Sequence, residues 1–452
     1  MLGAFKTRQR AKLARRALIV TTVRPAHMVW PMELWKWRDF HGFTFRVLHG
    51  SDKQNLLDAE QKDPSDICIT NVESLAWLFD AKVVESEITH KKSVKVDPRR
   101  VKALGFDTLV LDELSLFKHT TSIRFKILKD VIHYFTTRWG GTGSPAANHL
   151  EALFSETFVL DEGRTFGRYV TAFRKKYFVP SYDGYSWKPQ DGAQERIFDA
   201  VKPVFYRVEP PKGTVKEPQI VLNDILVDLP PAARKIYDEM KKDLVAVVAE
   251  GERSFAANGG VLVGKLKQIS NGGLYIQHQD PATGLLLPRE TRHLHDAKTE
   301  ALKELVEELQ GSPLFVAYEY DHDLDRLLKM FGKDIPILGS GNSIKRDLEL
   351  QAAWNQGDIP ILLAHPQAVG HGLNLQMSCR NVCWYAMTHN RELYDQFNKR
   401  VARQGNPAGI VTVHRLQGRR TIDQQCATVL HARGNVEQAL YAAILDYLKN
   451  EK

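Results

Sequence analysis

The sequence predicts an α/β protein built from two parallel sheets with a helical insertion between them. Short apolar runs alternate with helical stretches in residues 1–180, and the same alternation returns in residues 293–452. Such alternation is what parallel sheets with crossover helices require. Between them, residues 181–292 begin with a connector rich in proline, glycine and aromatic residues and continue with helical periodicity. We therefore predict an N-terminal unit, a connector with insertion, and a C-terminal unit.

The predicted elements follow from local patterns in chain order. Apolar runs of four to six residues, bounded by polar or turn-forming residues, predict strands. Longer stretches with apolar residues three or four apart predict helices, one of which has Pro231 near its start. The predicted strands are Ala17–Thr22, Ile67–Thr70, Thr108–Leu111, Arg138–Gly140, Pro313–Tyr318, Ile359–Ala364 and Asn381–Ala386, and the predicted helices include Pro230–Gly251 and Leu302–Leu309.

The composition is that of a globular chain with a preference for polyanions. The 452 residues are 43% hydrophobic and 26% charged, with a formal net charge of +8. A chain of this length is expected to form two or three domains, each with its own core. Excess positive charge favours a polyanionic partner without identifying it. Seven basic residues and no acid precede Glu33, which indicates a DNA-contacting arm or, alternatively, an organelle transit peptide.

Cysteine usage and hydropathy place the chain in the cytoplasm, in that of a bacterial host if the protein is viral. Four cysteines, at positions 68, 379, 383 and 426, lack the paired spacing of a zinc site and are expected to be reduced core thiols. No apolar segment approaches the 18 or more residues of a membrane span. We therefore expect no membrane partner.

An acidic pair follows the third predicted strand. Asp112 and Glu113 come directly after the apolar run that ends at Leu111, so they lie at the carboxyl end of that strand. Ligands of open α/β sheets bind at this edge. Asp112 is therefore a candidate ligand of Mg²⁺, directly or through water, and Glu113 a candidate base for an attacking water. The alternative is that the pair only caps the next helical turn.

A basic stripe near the C-terminus provides a second candidate site. Gln396, Arg400 and Arg403 are spaced by four and three residues, which predicts one shared face of a helix. Two guanidinium groups side by side suit a triphosphate, because each can bind phosphate oxygens and stabilise charge during transfer. The alternative is a basic face that is simply solvated.

Further stretches in the same order complete a resemblance. The chain resembles the Swi/Snf-type family of superfamily-two helicases and DNA translocases, in particular the compact variety found in bacteriophage genomes. Two segments downstream of motif III are also typical of this family, namely Lys265–Gly272 and His295–Lys298. The matching motifs are Ala17–Pro25 with Trp30–Trp37 (motif Ia), Ile69–Leu75 (Ib), Asp112–Ser115 with Phe117 and Lys118 (II), Gly141–Pro145 with Asn148 (III), Gly370–Leu375 (V) and Gln396–Gly405 (VI).

The resemblance implies two RecA-like lobes that use ATP and Mg²⁺ and bind duplex DNA. Asp112 and Glu113 of the first lobe would face Arg400 and Arg403 of the second across a cleft. For most of the implied positions, an ordinary turn or a solvated side chain is the alternative. The other implied residues are Gln396 for catalysis, Gly370, Gly372 and Asn374 for the nucleotide, Thr142 and Ser144 for coupling, and Arg24, Thr70, Asn71 and Lys118 for DNA.

One part that the resemblance implies is not evident. The family's first motif is a glycine-rich phosphate loop, yet only 16 residues precede Ala17, and Phe5 stands where the loop would need a glycine. We expect Gly3–Thr7 to be a helix or basic arm and the first lobe to be incomplete at its N-terminus. A longer native chain, a partner chain that supplies the loop, or a degenerate ATPase would each explain this.

The sequence therefore leaves two classes of function open. The first is an ATP-dependent DNA translocase or helicase-like enzyme acting on duplex DNA, alone or as one half of a split ATPase. The second is a catalytically inactive DNA-binding or scaffolding protein descended from one. Three tryptophans, Trp30, Trp35 and Trp37, are candidates for base stacking, but we expect them in the core because they do not share a helical face.

Overall fold

The computed structural model describes two compact units. It covers residues 1–85, 92–143, 150–180, 187–206, 208, 217–249, 260–280, 285–339, 341–369 and 372–430. Unit 1 is Met1–Val208 and unit 2 is Glu209–Lys452. Each unit contains one large parallel sheet with helices packed on it, which confirms the predicted fold class.

The sheet of unit 1 has five parallel strands in the order β2-β3-β1-β6-β7. The central strand β1 is buried along its whole length. Leu18 and Val20 pack into one core and Ile19 into another, because successive side chains of a strand point to opposite faces. The strands are β1 (Ala17–Thr21), β2 (Phe45–Val47), β3 (Ile67–Asn71), β6 (Thr108–Asp112) and β7 (Thr137–Gly141), and two hairpins pair β4 (Lys82–Glu85) with β5 (Lys92–Lys95) and β8 (Phe178–Pro180) with β9 (Trp187–Pro189).

Local capping signals fix several helices of unit 1. Asp97 accepts a hydrogen bond from the Arg99 amide, Pro98 occupies the first turn, and Gly105 ends the helix with a positive φ of 68°, as expected for these residue types. The described helices of unit 1 are α1 (Leu2–Arg10), α2 (Val23–His27), α3 (Val29–Lys36), α4 (Lys53–Lys62), α5 (Leu75–Leu78), α6 (Pro98–Leu104), α7 (Ile123–Val131), α8 (Ala152–Asp161), α9 (Val170–Tyr177) and α10 (Ala193–Val201).

The sheet of unit 2 has six parallel strands in the order β10-β17-β16-β13-β15-β14. Its edge strand comes from the segment predicted as connector, and it pairs with β17 over nine residues. The strands are β10 (Gln219–Val227), β13 (Leu314–Ala317), β14 (Ile337–Leu338), β15 (Ile361–Ala364), β16 (Asn381–Trp384) and β17 (Ile410–Gly418), and β11 (Gly273–Ile276) forms a hairpin with β12 (Glu290–His293).

The helices of unit 2 include two from the predicted insertion, α11 and α12, which pack against each other. The division of the chain into residues 1–180, 181–292 and 293–452 stays a prediction. No described helix in either unit combines the length and apolar content needed to cross a bilayer. The described helices of unit 2 are α11 (Pro231–Ala249), α12 (Gly260–Asn271), α13 (Ala297–Glu308), α14 (Asp321–Phe331), α15 (Ile344–Gln356), α16 (Arg391–Asn398) and α17 (Ile422–Val429).

A buried polar network joins α12, α13 and α17 in unit 2. Lys298 and Asp423 are both fully buried, and Nζ of the lysine lies 2.7 Å from Oδ2 of the aspartate. The same lysine donates to Oδ1 of Asn271 at 2.7 Å, and Ser270 donates to Asp423. The two family-like segments, Lys265–Gly272 and His295–Lys298, therefore contribute side chains to the same network.

Candidate functional site

The acidic pair of unit 1 lies at the carboxyl edge of the sheet, as predicted. Asp112 ends β6, and Glu113 adopts a left-handed conformation with φ 75° and ψ 80°. Such a φ is uncommon for a residue with a side chain, and here the Glu113 amide donates to the Gly141 carbonyl at 2.9 Å. Glu113 precedes a short 3-10 helix, Leu114–Phe117, but its side chain makes no capping hydrogen bond. The capping alternative is therefore not what the structure shows for Glu113.

Two side chains of unit 1 hold one oxygen of Asp112. Oδ2 accepts a hydrogen bond from the Thr21 hydroxyl at 3.0 Å and another from the Trp30 indole N–H at 2.9 Å. In the described part of the chain, Oδ1 accepts no hydrogen bond. A Cβ on Gly141 would lie 3.2 Å from Cε of Met1 and 4.0 Å from Oδ1, so the Met1 side chain occupies the space next to this glycine. Asp112 is thus oriented through one oxygen, and the other is available to a ligand.

A cavity of about 350 Å³ opens beside Asp112 in unit 1. The start of α1, the helix α3 and Asp112 form its walls. Gly3–Thr7, the segment compared with a phosphate loop, lies inside α1, and Phe5 is buried against Phe43. The cavity is lined by Met1, Leu2, Gly3, Val29, Trp30, Glu33, Phe40 and Asp112.

Glu113 is held by a residue predicted to couple nucleotide state to DNA. The Thr142 hydroxyl donates to Oε1 of Glu113 at 2.9 Å. The β6–β7 register pairs Asp112 with Gly141, so Glu113 and Thr142 are the next residues along the two strands. The structure therefore brings Glu113 and Thr142 together. Ser144, the other predicted coupling residue, lies outside the described residues.

In unit 2, the prediction that Gln396, Arg400 and Arg403 share one face of a helix is wrong. Helix α16 ends at Asn398, so only Gln396 lies on it. Two tertiary contacts end the helix. The Asn398 side chain accepts a hydrogen bond from the Trp384 indole at 3.0 Å, and the Arg400 carbonyl accepts one from the Leu375 amide at 3.1 Å.

The two arginines instead bind one neighbouring loop of unit 2. Arg400 donates to the Leu373 carbonyl at 3.1 Å, and Arg403 donates to the side-chain oxygen of Asn374. Gly372 begins this loop with a φ of 79°, a conformation that favours glycine. The second half of motif V and the end of motif VI are therefore brought together. Gly370, the remaining residue predicted to bind nucleotide, lies outside the described residues.

The four residues predicted to contact DNA have different surroundings in unit 1. Thr70 is fully buried, and its hydroxyl donates to the Leu48 carbonyl at 3.0 Å. Asn71 is also buried, where its side chain donates to Glu73 and accepts from Ser74. Both side chains are thus used inside the protein, because they join β3 to its neighbours. Arg24 and Lys118 are half-buried and reach the surface.

Sequence analysis did not predict that Thr21 and Trp30 orient Asp112. Thr21 ends β1, and the parallel register that pairs Val20 with Leu111 places it beside Asp112. Sheet order would have predicted this contact, but nothing in the sequence signals the Trp30 hydrogen bond. A second missed feature is the pair His27 and His49, whose ring nitrogens lie 2.8 Å apart. Burial, together with the neighbouring His49, lowers the pKa of His27.

Comparisons with known proteins provide one relative in sequence and several in structure. No protein-family model matches the chain. Protein p41 of Acyrthosiphon pisum secondary endosymbiont phage 1 is 27% identical to it, over 96% of this chain and 88% of p41.

Three similar solved structures are ATPase cores or parts of them. The Sulfolobus solfataricus SWI2/SNF2 ATPase core in complex with dsDNA is 16% identical, with a TM-score of 0.37, over all of this chain and 88% of that one. A second structure of that core domain is 18% identical, with a TM-score of 0.37, over 95% and 80%. The C-terminal part of the Fun30 ATPase domain is 16% identical, with a TM-score of 0.40, over 52% and 99%. At these values the likeness carries no argument about activity.

Proposed function

We propose that this chain is an ATPase of the DNA-translocase type that acts on duplex DNA when a phosphate loop is supplied to it, since Gly3–Thr7 lies inside helix α1. The observation that carries the proposal is the pair Asp112 and Glu113 at the carboxyl edge of a parallel sheet, each held by a donor from a neighbouring segment. A cavity adjoins Asp112. Carboxylates fixed in this way match the two requirements of phosphoryl transfer to water, a metal ligand and a base.

The surroundings of Asp112 suit a hard cation. Carboxylate oxygens are preferred ligands of Mg²⁺, and Oδ1 accepts no hydrogen bond in the described part of the chain. The Thr21 and Trp30 donors on Oδ2 fix the direction of the carboxylate. When bound, Mg²⁺ would neutralise charge on the phosphate oxygens of ATP.

Glu113 is proposed to orient the attacking water and to accept its proton. The Thr142 hydroxyl donates to Oε1, which fixes the direction of the carboxylate. A base must lie within hydrogen-bond reach of the water it activates. Glu113 has a positive φ, and its amide donates to the Gly141 carbonyl. These two features fix the position of its Cα at the edge of the sheet.

Arg400 and Arg403 of unit 2 are proposed to stabilise charge on phosphate oxygens. Guanidinium groups are suited to this because they present several donors in one plane and stay ionised. Their bonds to Leu373 and Asn374 reduce the freedom of two long side chains, so less conformational entropy is lost when a phosphate binds. Gln396 remains a proposed catalytic residue, and Gly370, Gly372 and Asn374 remain proposed nucleotide-binding residues.

Duplex DNA is proposed to bind through phosphate contacts that include Arg24 and Lys118. Contacts of this kind are independent of sequence and weaken with salt, as a moving protein requires. The net charge of +8 supports a polyanionic partner. The side chains of Thr70 and Asn71 are buried. We therefore propose that they hold the neighbouring DNA-binding surface in place and do not contact DNA themselves.

The test is ATP hydrolysis by the purified chain with and without duplex DNA. When a partner or a longer chain supplies the phosphate loop, we expect DNA-stimulated turnover. We also expect a loss of at least about 100-fold in kcat for Glu113→Gln, because a general base contributes on the order of 10² or more. The matched control is Glu162→Gln, since Glu162 is also a glutamate with a positive φ in unit 1. Undiminished turnover in Glu113→Gln would refute the role of Glu113.

The same assay separates the rival function. A chain that binds duplex DNA but has no turnover, with Mg²⁺ and ATP in excess, would contradict an ATPase acting alone. A DNA-binding or scaffolding protein, or a partner chain that completes the phosphate site, would then be favoured. Recovery of turnover on addition of a partner would distinguish the split ATPase from the binding protein.

A further inference from the structure

Two of the three tryptophans expected in the core are exposed at the end of α3. The side chains of Trp35 and Trp37 are 68% and 50% exposed. Trp30 is half-buried and bonded to Asp112. The prediction that all three lie in the core is therefore wrong for Trp35 and Trp37. For Trp37 the reason is geometric. Helix α3 ends at Lys36 and Trp37 has extended backbone, so its ring does not continue the helix face that packs on the core.

Both exposed rings are held in place by neighbours. The Trp37 indole donates to Oε2 of Glu33 at 2.6 Å, one helical turn earlier. The Trp35 ring meets Phe45 edge-on, with centroids 6.2 Å apart, and the Trp35 carbonyl bonds to His41. Rings that are already oriented lose little conformational freedom when a ligand stacks on them.

Cations alternate with these rings along the chain. Lys36 and Arg38 are both exposed, and Nζ of Lys36 lies 5.2 Å from the centroid of the Trp37 ring. The surface is therefore interrupted by charge, whereas the cores of protein interfaces are depleted in lysine and aspartate. Flat rings alternating with cations are typical of surfaces that bind single-stranded nucleic acid, where bases stack and phosphates pair with the charges.

We infer that Trp35 and Trp37, with Lys36 and Arg38, form a binding site for unpaired bases of single-stranded nucleic acid. Residues 35–38 do not line the cavity beside Asp112, and the inference does not depend on ATP hydrolysis. Stacking on a π-face is tolerant of base identity, so the site would accept any sequence. Phosphates on either side of the stacked bases would pair with the two cations.

The test compares two labelled oligonucleotides of about 12 nucleotides, a length within the usual range of such sites. One is oligothymidylate, and the other is an abasic strand with the same phosphates and no bases. For Trp35→Ala/Trp37→Ala we expect binding of oligothymidylate, measured by fluorescence anisotropy, to weaken by roughly 5- to 100-fold per ring lost. Binding of the abasic strand should be unchanged.

Three further variants make the result specific. Tyr169→Ala, at an aromatic residue of unit 1 that is 70% exposed, is the matched control and should bind both strands as the native chain does. Trp35→Phe/Trp37→Phe keeps two rings and should retain most of the affinity. Lys36→Gln/Arg38→Gln should weaken binding of both strands and reduce its salt dependence.

The inference is overturned if the double alanine variant, folded by circular dichroism, binds oligothymidylate like the native chain. An equal loss for both strands would also overturn it, because phosphates and not bases would then be the ligand. Unchanged affinity for both strands would instead assign the exposed rings to contact with another protein.

Discussion

Replacing Asp423 by asparagine is expected to destabilise unit 2 by about 3–5 kcal/mol, the usual cost of leaving a buried charge without its partner. Asp423 and Lys298 are both fully buried, with 2.7 Å between Oδ2 and Nζ. The same Oδ2 also accepts hydrogen bonds from Ser270 at 2.5 Å and from the Gly418 amide at 2.9 Å. Three donors therefore converge on one carboxylate oxygen.

The magnitude follows from what asparagine would leave behind. Its amide is neutral, so the fully buried Lys298 would lose the carboxylate that lies 2.7 Å from its Nζ. Lys298 would be left with neutral acceptors, the Asn271 side-chain oxygen at 2.7 Å and the amide oxygen of the new asparagine, and neutral acceptors do not fully compensate a buried cation. A neighbouring cation, Lys267, increases the cost because it also interacts favourably with Asp423.

The matched control is Asp228→Asn in the same unit. Asp228 pairs with Arg419 at 2.9 Å, but its side chain is 73% exposed, and exposed ion pairs contribute about 0–1 kcal/mol. Free energies of unfolding would be measured by denaturant titration with hydrogen exchange followed on peptides of α12 and α17. Equal effects of the two substitutions, or a cost below about 1 kcal/mol for Asp423→Asn, would refute the reasoning, because the large cost is expected only where the unpaired charge is buried.

Two further predictions concern the site and the pH dependence of stability. Trp30→Phe keeps an aromatic ring but removes the N–H bond to Asp112. A hydrogen bond to a charged group contributes roughly 1.5–3 kcal/mol, so we expect kcat for ATP hydrolysis to fall roughly 10- to 160-fold with duplex affinity unchanged. An equal kcat would contradict this prediction. Burial lowers the pKa of His295 to about 4, so the unfolded chain binds more protons below about pH 6.5. The contribution of His295 to the free energy of unfolding should therefore fall by about 3 kcal/mol as the pH drops from above 6.5 toward 4. Denaturant titrations should show a fall smaller by about this amount in His295→Gln.

The strands that sequence analysis found are those with compact apolar runs. The predicted Thr108–Leu111 and Ala17–Thr22 differ from β6 and β1 by one residue each, because a buried parallel strand is apolar on both faces. The missed strands β10 and β17 carry polar side chains that pair with each other. Arg415 of β17 bonds both oxygens of Asp224 on β10, so neither strand has an uninterrupted apolar pattern.

The candidate site was predictable where strand order determines it and unpredictable where a distant side chain does. The positions of Asp112 and Glu113 followed from the end of an apolar run. The end of α16 at Asn398 did not, because the bond from Trp384 that helps to end it comes from another strand. The spacing of residues in the sequence predicts a helix through Arg400 and Arg403. Tertiary contacts, which the spacing does not show, can override such a local preference.

The sheet of unit 1 itself explains why its site residues meet. Strands β1, β6 and β7 are adjacent and parallel, so their carboxyl ends lie side by side. Thr21 ends the first, Asp112 ends the second, and Thr142 follows the third. A slip of one residue in either pairing would move the donors away from the carboxylates and turn each side chain to the opposite face. The register that buries the core is therefore the same register that assembles the proposed catalytic pair, and substitutions that loosen these strands should affect stability and turnover together.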